Sequence, residues 1–244
     1  MRNVLVTGGS RGIGLAIGRK LALDGYRVVA LARSEGAELE PAIAAVAAAG
    51  AGVLMFEPFD LADIDAIPDL ARRLKTRVGP FYGLVNNAGL GTDGLLSNMH
   101  VSQIETLVRL NTVAPIVLTK HIVRTMMTEG EGRIVNMASV VATTGYSGLS
   151  VYAATKASMI GFTKSLAREV GRMGITVNAV APGFLDTELT KGLGEDGREQ
   201  VVRRSALRRL AEVDDVASAV AYLMGETGRN VTGSVLTVDA GNTA

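Results

Sequence analysis

A chain of 244 residues, 48% hydrophobic and 20% charged, can bury a sizeable core and is too apolar to be disordered. Its formal net charge of +1 gives no bulk attraction to nucleic acid or membrane, and the absence of cysteine excludes disulfides, thiolate catalysis and thiolate-held metals. The two histidines, His100 and His121, stand apart and leave little for a metal site, so none is expected. The opening MRNVLVTGG enters a strand pattern with no room for a signal peptide, and no apolar run reaches the roughly 18 residues of a membrane span. A soluble, cytoplasmic protein is expected.

In chain order, Asn3–Thr7 is a short apolar run with the look of a buried parallel strand. The loop Gly8–Gly14 (GGSRGIG) follows, then LAIGRKLALDG with helical spacing and a stop at Gly25. Strand, glycine loop and helix together let backbone amides at a helix start face a pyrophosphate, which side chains would block. The spacing is T-G-x-x-x-G-x-G, from Thr7 through Gly8 and Gly12 to Gly14. A second strand, Arg27–Ala32, ends where a dinucleotide-binding fold places an acid on the adenine ribose. Here Ala32 stands in that place and Arg33 follows, so Arg33, with Arg11 of the glycine loop, can pair with a 2′-phosphate. This predicts NADP(H) over NAD(H).

The stretch Gly36–Gly50 reads as an Ala-rich helix and Gly52–Glu57 as a third strand leading to Asp60 and Leu61. Asp60 would either accept from the adenine amino group or cap a helix over Ala62–Arg77. Tyr82–Asn86 is a fourth strand, running into Asn87, Ala88 and Gly89, whose small size would let the backbone approach the cofactor ribose. Val101–Met127 reads as one long helix, interrupted at Asn111 and Pro115. An Asn within the apolar LVRLNTVAPIVL is costly unless it has a partner, such as a relay water or an exposed carbonyl. Gly132–Ala138 is a fifth strand and delivers Ser139; Gly174–Val180 is a sixth and delivers Pro182 and Gly183; Val235–Val238 is a seventh. The βα alternation, without repeat or linker, predicts one α/β domain over 1–244: a doubly wound parallel sheet of seven strands with helices on both faces. Nearly every candidate lies just after a strand, where open α/β sheets bind ligands.

The chemistry centres on SVVATTGYSGLSVYAATK, from Ser139 to Lys156. Tyr152 and Lys156, four apart, share one face of a helix starting near Ser150. A free phenol titrates near pH 10, and lowering that by about three units takes roughly 4 kcal/mol, which a neighbouring ammonium, a dry pocket, a cationic cofactor ring and the helix N-terminus would together supply. Ser139 is a candidate donor to the same substrate oxygen.

These motifs, taken together and in order, resemble the short-chain dehydrogenase/reductase family over nearly the whole chain, with Thr187 close behind Pro182-Gly183 completing the set. The resemblance implies a Rossmann fold and a tetrad of Asn111, Ser139, Tyr152 and Lys156. Tyr152 would be the general acid, Ser139 would polarise the carbonyl, Lys156 would hold the nicotinamide ribose, and Asn111 would anchor a relay water. The cofactor would rest on Gly8, Ser10, Arg11, Gly12, Ile13 and Gly14, on Arg33, on Asp60 and Leu61, and on Asn87, Ala88 and Gly89. Tyr152, Lys156, Pro182 and Gly183 would complete its seat, with Leu185 and Thr187 on the nicotinamide carboxamide.

Within the family the likeness is to 3-oxoacyl-(acyl-carrier-protein) reductases and acetoacetyl-CoA reductases, through TDGLLSNM, GFTKSLAREV and GITVNAVAPGF. It implies a 3-oxoacyl thioester reduced with NADPH in a homotetramer. The alternatives are a non-thioester ketone or alcohol, or a dinucleotide-binding sensor without catalysis. Relatives that dock the acidic carrier protein carry basic residues just before the G-R-I strand; here Thr128-Glu129-Gly130-Glu131 would repel it, and near G-I-T-V-N only Arg172 precedes Met173. VDAGNTA replaces V-D-G-G at the end, which should disturb a turn and not the chemistry. The segment Phe184–Leu210 is the expected substrate lid, its basic cluster Arg203, Arg204, Arg208 and Arg209 either meeting a CoA phosphate or forming a solvated helix face.

Overall fold

A computed structural model describes residues 1–91, 94–185 and 194–244, the side chains of 194–196 excepted. Seven parallel strands form one sheet: β1 (Asn3–Thr7), β2 (Arg27–Ala32), β3 (Val53–Pro58), β4 (Phe81–Asn86), β5 (Gly132–Met137), β6 (Ile175–Pro182) and β7 (Val235–Val238). Their order is β3-β2-β1-β4-β5-β6-β7, with every neighbouring pair parallel, as the βα alternation predicts. Expected strand ends move by only a residue or two, the ordinary uncertainty at a fraying end.

The continuous apolar runs have a direct cause: both sheet faces are covered. Successive β1 residues alternate between them, Val4 and Val6 joining one core and Leu5 the other. Helices α1 (Gly12–Leu23) and α2 (Leu39–Ala49) cover the first face, joined there by the last helix, Val213–Met224. The second face is covered by α3 (Ile67–Val78) and by two further helices below. Asp63, not Asp60, caps the short turn Ile64–Ala66 that leads into α3, accepting from the Ala66 amide at 3.3 Å.

The expected long helix over Val101–Met127 runs unbroken, its two stretches α4 (Val101–Val108) and α5 (Ala114–Glu129) continuing through a π turn at Arg109–Val113 that holds Asn111, the first of the two expected interruptions. Pro115 in the first turn of α5 has no amide hydrogen to give, and the wider turn just ahead takes up that gap in the ladder. Beyond β5 come the short α6 (Val141–Thr144) and the long α7 (Ser150–Val170), which with α5 completes the second face. Of the expected lid, 186–193 lie outside the described residues; α8 (Gly194–Arg204) and then α9 (Val213–Met224) follow. No helix among the described residues is long and apolar enough to cross a membrane.

The terminal turn departs from the expected glycine with a measurable cost. Ala240 sits at φ 55°, in the left-handed region that a Cβ disfavours. Asp239 holds the turn, its carboxylate accepting from Gly241 N (2.9 Å), Thr243 N (2.9 Å) and Thr243 Oγ1 (2.6 Å). Ala240→Gly should stabilise the protein by about 0.5–1 kcal/mol, raising Tm by roughly 1–4 °C in thermal melts with turnover unchanged.

Candidate active site

Pairing between β5 and β6 continues past both strand ends, with Ala138 N donating to Val180 O (2.8 Å) and Val140 N to Pro182 O (3.0 Å). Ser139 is thereby fixed at the carboxyl edge of the sheet. Its hydroxyl accepts from Val141 N at 3.4 Å, opening α6. Tyr152 and Lys156 lie in the first two turns of α7, and the Lys156 amine crosses back to the strand, donating to Met137 O at 2.9 Å. Its nitrogen lies 5.7 Å from the centre of the Tyr152 ring. Only 6% of Lys156 is exposed, and burial lowers the amine to about 8.

Tyr152 differs from expectation. Burial raises its phenol above the ordinary value, while the Ser139 side chain, its hydrogen-bond partner, pulls it back. The expected lowering by Lys156 is absent because the amine sits beside the ring and spends a hydrogen bond on Met137. The chain's own groups therefore keep the phenol protonated, the form that gives a proton to a carbonyl oxygen.

Asn111, 2% exposed, lies in the π turn with its amide engaged on both sides. Oδ1 accepts from Leu90 N (2.8 Å), and Nδ2 donates to Leu90 O (2.8 Å) and Thr155 Oγ1 (3.1 Å). Thr155 in turn donates to Tyr152 O at 2.7 Å, so Asn111 clamps the loop after β4 to the turn bearing the phenol. Sequence reasoning passed over Thr155, whose one signal is its place in Y-x-x-T-K on a buried helix face. Thr7, read from the sequence only as the first residue of the glycine motif, has a role of its own: its hydroxyl accepts from Asn87 N and Ala88 N, each at 2.9 Å. A buried chain also crosses the strands, Thr119 and Asn136 accepting from Asn86 (2.9 and 2.8 Å) and Thr163 from Asn136 (2.9 Å).

The crevice between β1 and β4, where strand order reverses, holds the glycine loop. Gly12 opens α1 at φ 54°, and a Cβ on Gly14 would come within 2.1 Å of Gly8 O. Ile13 packs its side chain on the core, leaving the first-turn amides of α1 for an anion. Asn87 braces this loop, Nδ2 donating to Thr7 O (2.9 Å) and Gly8 O (3.3 Å), so its amide serves the cradle's shape. Gly8 N and Gly9 N both donate to Leu31 O (2.7 and 3.2 Å), tying the loop to the end of β2. Gly36 packs on Ser10 and Arg11: a Cβ there would sit 2.5 Å from Ser10 O and 3.7 Å from the Arg11 Cβ. Arg33, three residues before Gly36, and Arg11 are therefore carried on adjoining exposed segments, and neither guanidinium has an ion-pair partner among the described residues. These residues fit a dinucleotide: the unblocked amides at the start of α1 would face its pyrophosphate.

The other expected contacts divide. Asp60 closes a local turn by accepting from Ala62 N (2.9 Å), and Leu61 is buried in the core. Gly89 links cradle to tetrad, since a Cβ there would stand 3.2 Å from Asn111 Oδ1 and 3.5 Å from Lys156 Nζ. Gly183 N donates to Val238 O (2.9 Å), and Leu185 pairs with Ala211 in an isolated bridge. Thr187 lies outside the described residues.

With this geometry in view, the profile of the short chain dehydrogenase family matches residues 2–198. The chain is 40% identical over 238 residues to a 3-oxoacyl-[acyl-carrier-protein] reductase of Escherichia coli, covering 97% of this chain and 95% of that one. It is 38% identical to nodulation protein G of a Rhizobium species over 240 residues, 98% and 96% of the two chains. A double-mutant short-chain dehydrogenase/reductase of Serratia marcescens superposes with a TM-score of 0.91 at 33% identity, covering 100% of this chain and 98% of that one.

Burial of Lys156 carries a stability cost with a defined pH window. Because its folded value lies below the ordinary value of 10.5, the unfolded chain binds the proton more tightly. The penalty is full below about 8 and is relieved as pH rises toward 10.5. Lys156→Met should therefore be more stable than the parent by roughly 2 kcal/mol at neutral pH, the advantage shrinking above about 8. Urea unfolding of both proteins across that range checks the sign.

Proposed function

Because the chain belongs to the short-chain dehydrogenase/reductase family, we propose that it is an NADPH-dependent reductase that takes a 3-oxoacyl thioester to its 3-hydroxy product. The observation carrying this reading is the buried Lys156 amine, anchored on Met137 beside a protonated Tyr152 that shares a hydrogen bond with Ser139. When bound, the reduced nicotinamide supplies hydride to the carbonyl carbon. Ser139 and Tyr152 donate hydrogen bonds to the carbonyl oxygen, and Tyr152 passes its proton to that oxygen as negative charge develops there. Lys156, still mostly charged at neutral pH, is the group that would hold the nicotinamide ribose. Asn111, through Thr155 and Leu90, fixes the turn that aims the phenol, and the second acceptor position of Oδ1 is what it has left for a relay water. A sensor without catalysis has no use for such a proton donor.

NADPH is favoured by the unpaired Arg11 and Arg33 and by Ala32 where an acid would repel the 2′-phosphate. CoA is favoured over the acyl carrier protein by the surface at the start of β5. Glu129 is exposed there, and Glu131 shares Arg2 with Glu226 (2.8 and 2.6 Å), so carboxylates face an acidic partner. Exposed Val101 and Val108 on α4 and Val113 in the π turn, with Tyr222 on α9 and Leu236 in β7, support assembly into a homotetramer. A compact cyclic or aromatic ketone is the second reading, favoured by the edge-on Tyr146–Phe184 pair at 5.7 Å on the segments flanking Ser139 and Gly183.

Turnover with NADPH should be fastest on acetoacetyl-CoA, slower on a carrier-bound thioester and slowest on simple or aromatic ketones. Tyr152→Phe should lower the rate by about 10²–10⁴-fold while retaining cofactor binding. Reduction of ketones alone would sink the thioester reading, and equal rates on the carrier-bound substrate would sink the charge argument. Arg33→Asp should move the NADPH/NADH ratio of kcat/KM toward NADH by about 10–100-fold, the worth of one charge-assisted phosphate contact.

A further inference from the structure

We infer that the basic turn after α8, with Arg204, Leu207 and Arg208 at its centre, holds the phosphorylated nucleotide handle of a coenzyme A thioester. The inference rests on the thioester reading above and names the carrier of the acyl group. The segment bearing this turn leaves the sheet at Leu185 and returns at Ala211, which pair in the isolated bridge just past Gly183. Its root therefore adjoins Ser139, whose neighbour Val140 donates to Pro182 O at 3.0 Å. The arginines occupy the returning limb, a few residues before that root.

The turn is firmly held. Ala206 N and Leu207 N donate to Gly241 O and Ala240 O (3.2 and 3.1 Å), and Asn242 Nδ2 donates to Val201 O and Ser205 Oγ (3.2 and 3.4 Å). Within it, two of the four arginines already have carboxylate partners: Arg203 with Glu199 at 2.6 Å, and Arg209 with Asp215 at 3.5 Å. Arg204 is exposed and has no ion-pair or hydrogen-bond partner among the described residues. Arg208 holds φ 53°, a conformation its side chain makes costly, and one guanidinium nitrogen bonds Arg203 O while the rest stays in solvent. Between the two stands Leu207, 62% exposed. Two guanidinia flanking an apolar side chain suit phosphates attached to a purine.

The same charge could attract an acidic protein, and its surroundings argue against that occupant. Glu199 and Asp215 pair with Arg203 and Arg209 at the patch, Glu212 and Asp214 stand beside Asp215 in the chain, and all four are exposed. A broad acidic face laid over it would press against those four carboxylates, whereas phosphates on a flexible arm can reach between them. Arg203 and Arg204 also suit the dipole at the end of α8. That role alone would appear as lost stability with no selectivity among substrates.

The test compares acetoacetyl-CoA with acetoacetyl-pantetheine, which has the same reacting end and no nucleotide, for the parent and the R204A/R208G double variant. Arg208→Gly relieves the left-handed residue, so the variant should fold at least as well at that turn, and Tm is recorded beside the kinetics. The expected result is KM for acetoacetyl-CoA raised about tenfold or more, kcat nearly unchanged, and KM for the pantetheine ester unmoved, as for loss of a charge-assisted phosphate contact. The parent's KM for the CoA ester should also rise with ionic strength, and the variant's should not. Equal effects on both esters, or none on either, overturn the proposal. A selective loss on a carrier-bound thioester in place of the CoA ester overturns it in favour of an acidic protein. If the parent reduces neither thioester, the thioester reading has failed and this inference falls with it.

Discussion

The bond from the Lys156 amine to the Met137 carbonyl is the constraint on which the rest of this site depends. A long cationic side chain is drawn out of water, at the cost of much of its proton affinity, to tie the second turn of α7 to the last residue of β5. That single crossing sets the distance between helix and strand. It sets the amine beside the Tyr152 ring, 5.7 Å from its centre, next to the strand end that leads to Ser139. Stability is given up where the chemistry needs a charge.

The remaining polar groups keep that crossing rigid. Asn111, Thr155 and Leu90 form one clamp, and Thr7 with Asn87 forms another, both at the carboxyl edge of the sheet. Between them the chain Thr119–Asn86–Asn136–Thr163 runs through the strand interior. Gly89 lies where the two systems meet, close to both Asn111 and Lys156. The glycine loop and Tyr152 are thus parts of one hydrogen-bonded frame.

Much of this was legible beforehand because the signals are local. Strand, glycine loop and helix at Asn3–Leu23, and the Tyr–Lys spacing on α7, are read from neighbours in sequence, and the parallel order follows from alternation. What escaped depends on contacts between distant segments. Asn111 could be marked as costly in an apolar stretch, yet its partners Leu90 and Thr155 lie 21 and 44 residues away. Asn87 reads as a ligand-facing amide until its bonds to Thr7 and Gly8 are seen, and Asp60 reads as a cap until Asp63 takes that place. The direction of the Tyr152 shift also escaped, because it depends on burial and on where the lysine points.

By itself, then, the order of residues determined a doubly wound parallel sheet and the family, and it named the side chains proposed for the reaction. These rest on periodicity, turn chemistry and fixed short spacings, all properties of adjacent residues. Only the tertiary structure decided what those side chains are doing before any substrate arrives: an amine held on a carbonyl, an asparagine spent as a clamp, two arginines left unpaired on adjoining segments. Charge state and hydrogen-bond partner are set by the three-dimensional surroundings of a group, and segments far apart in the chain supply those surroundings.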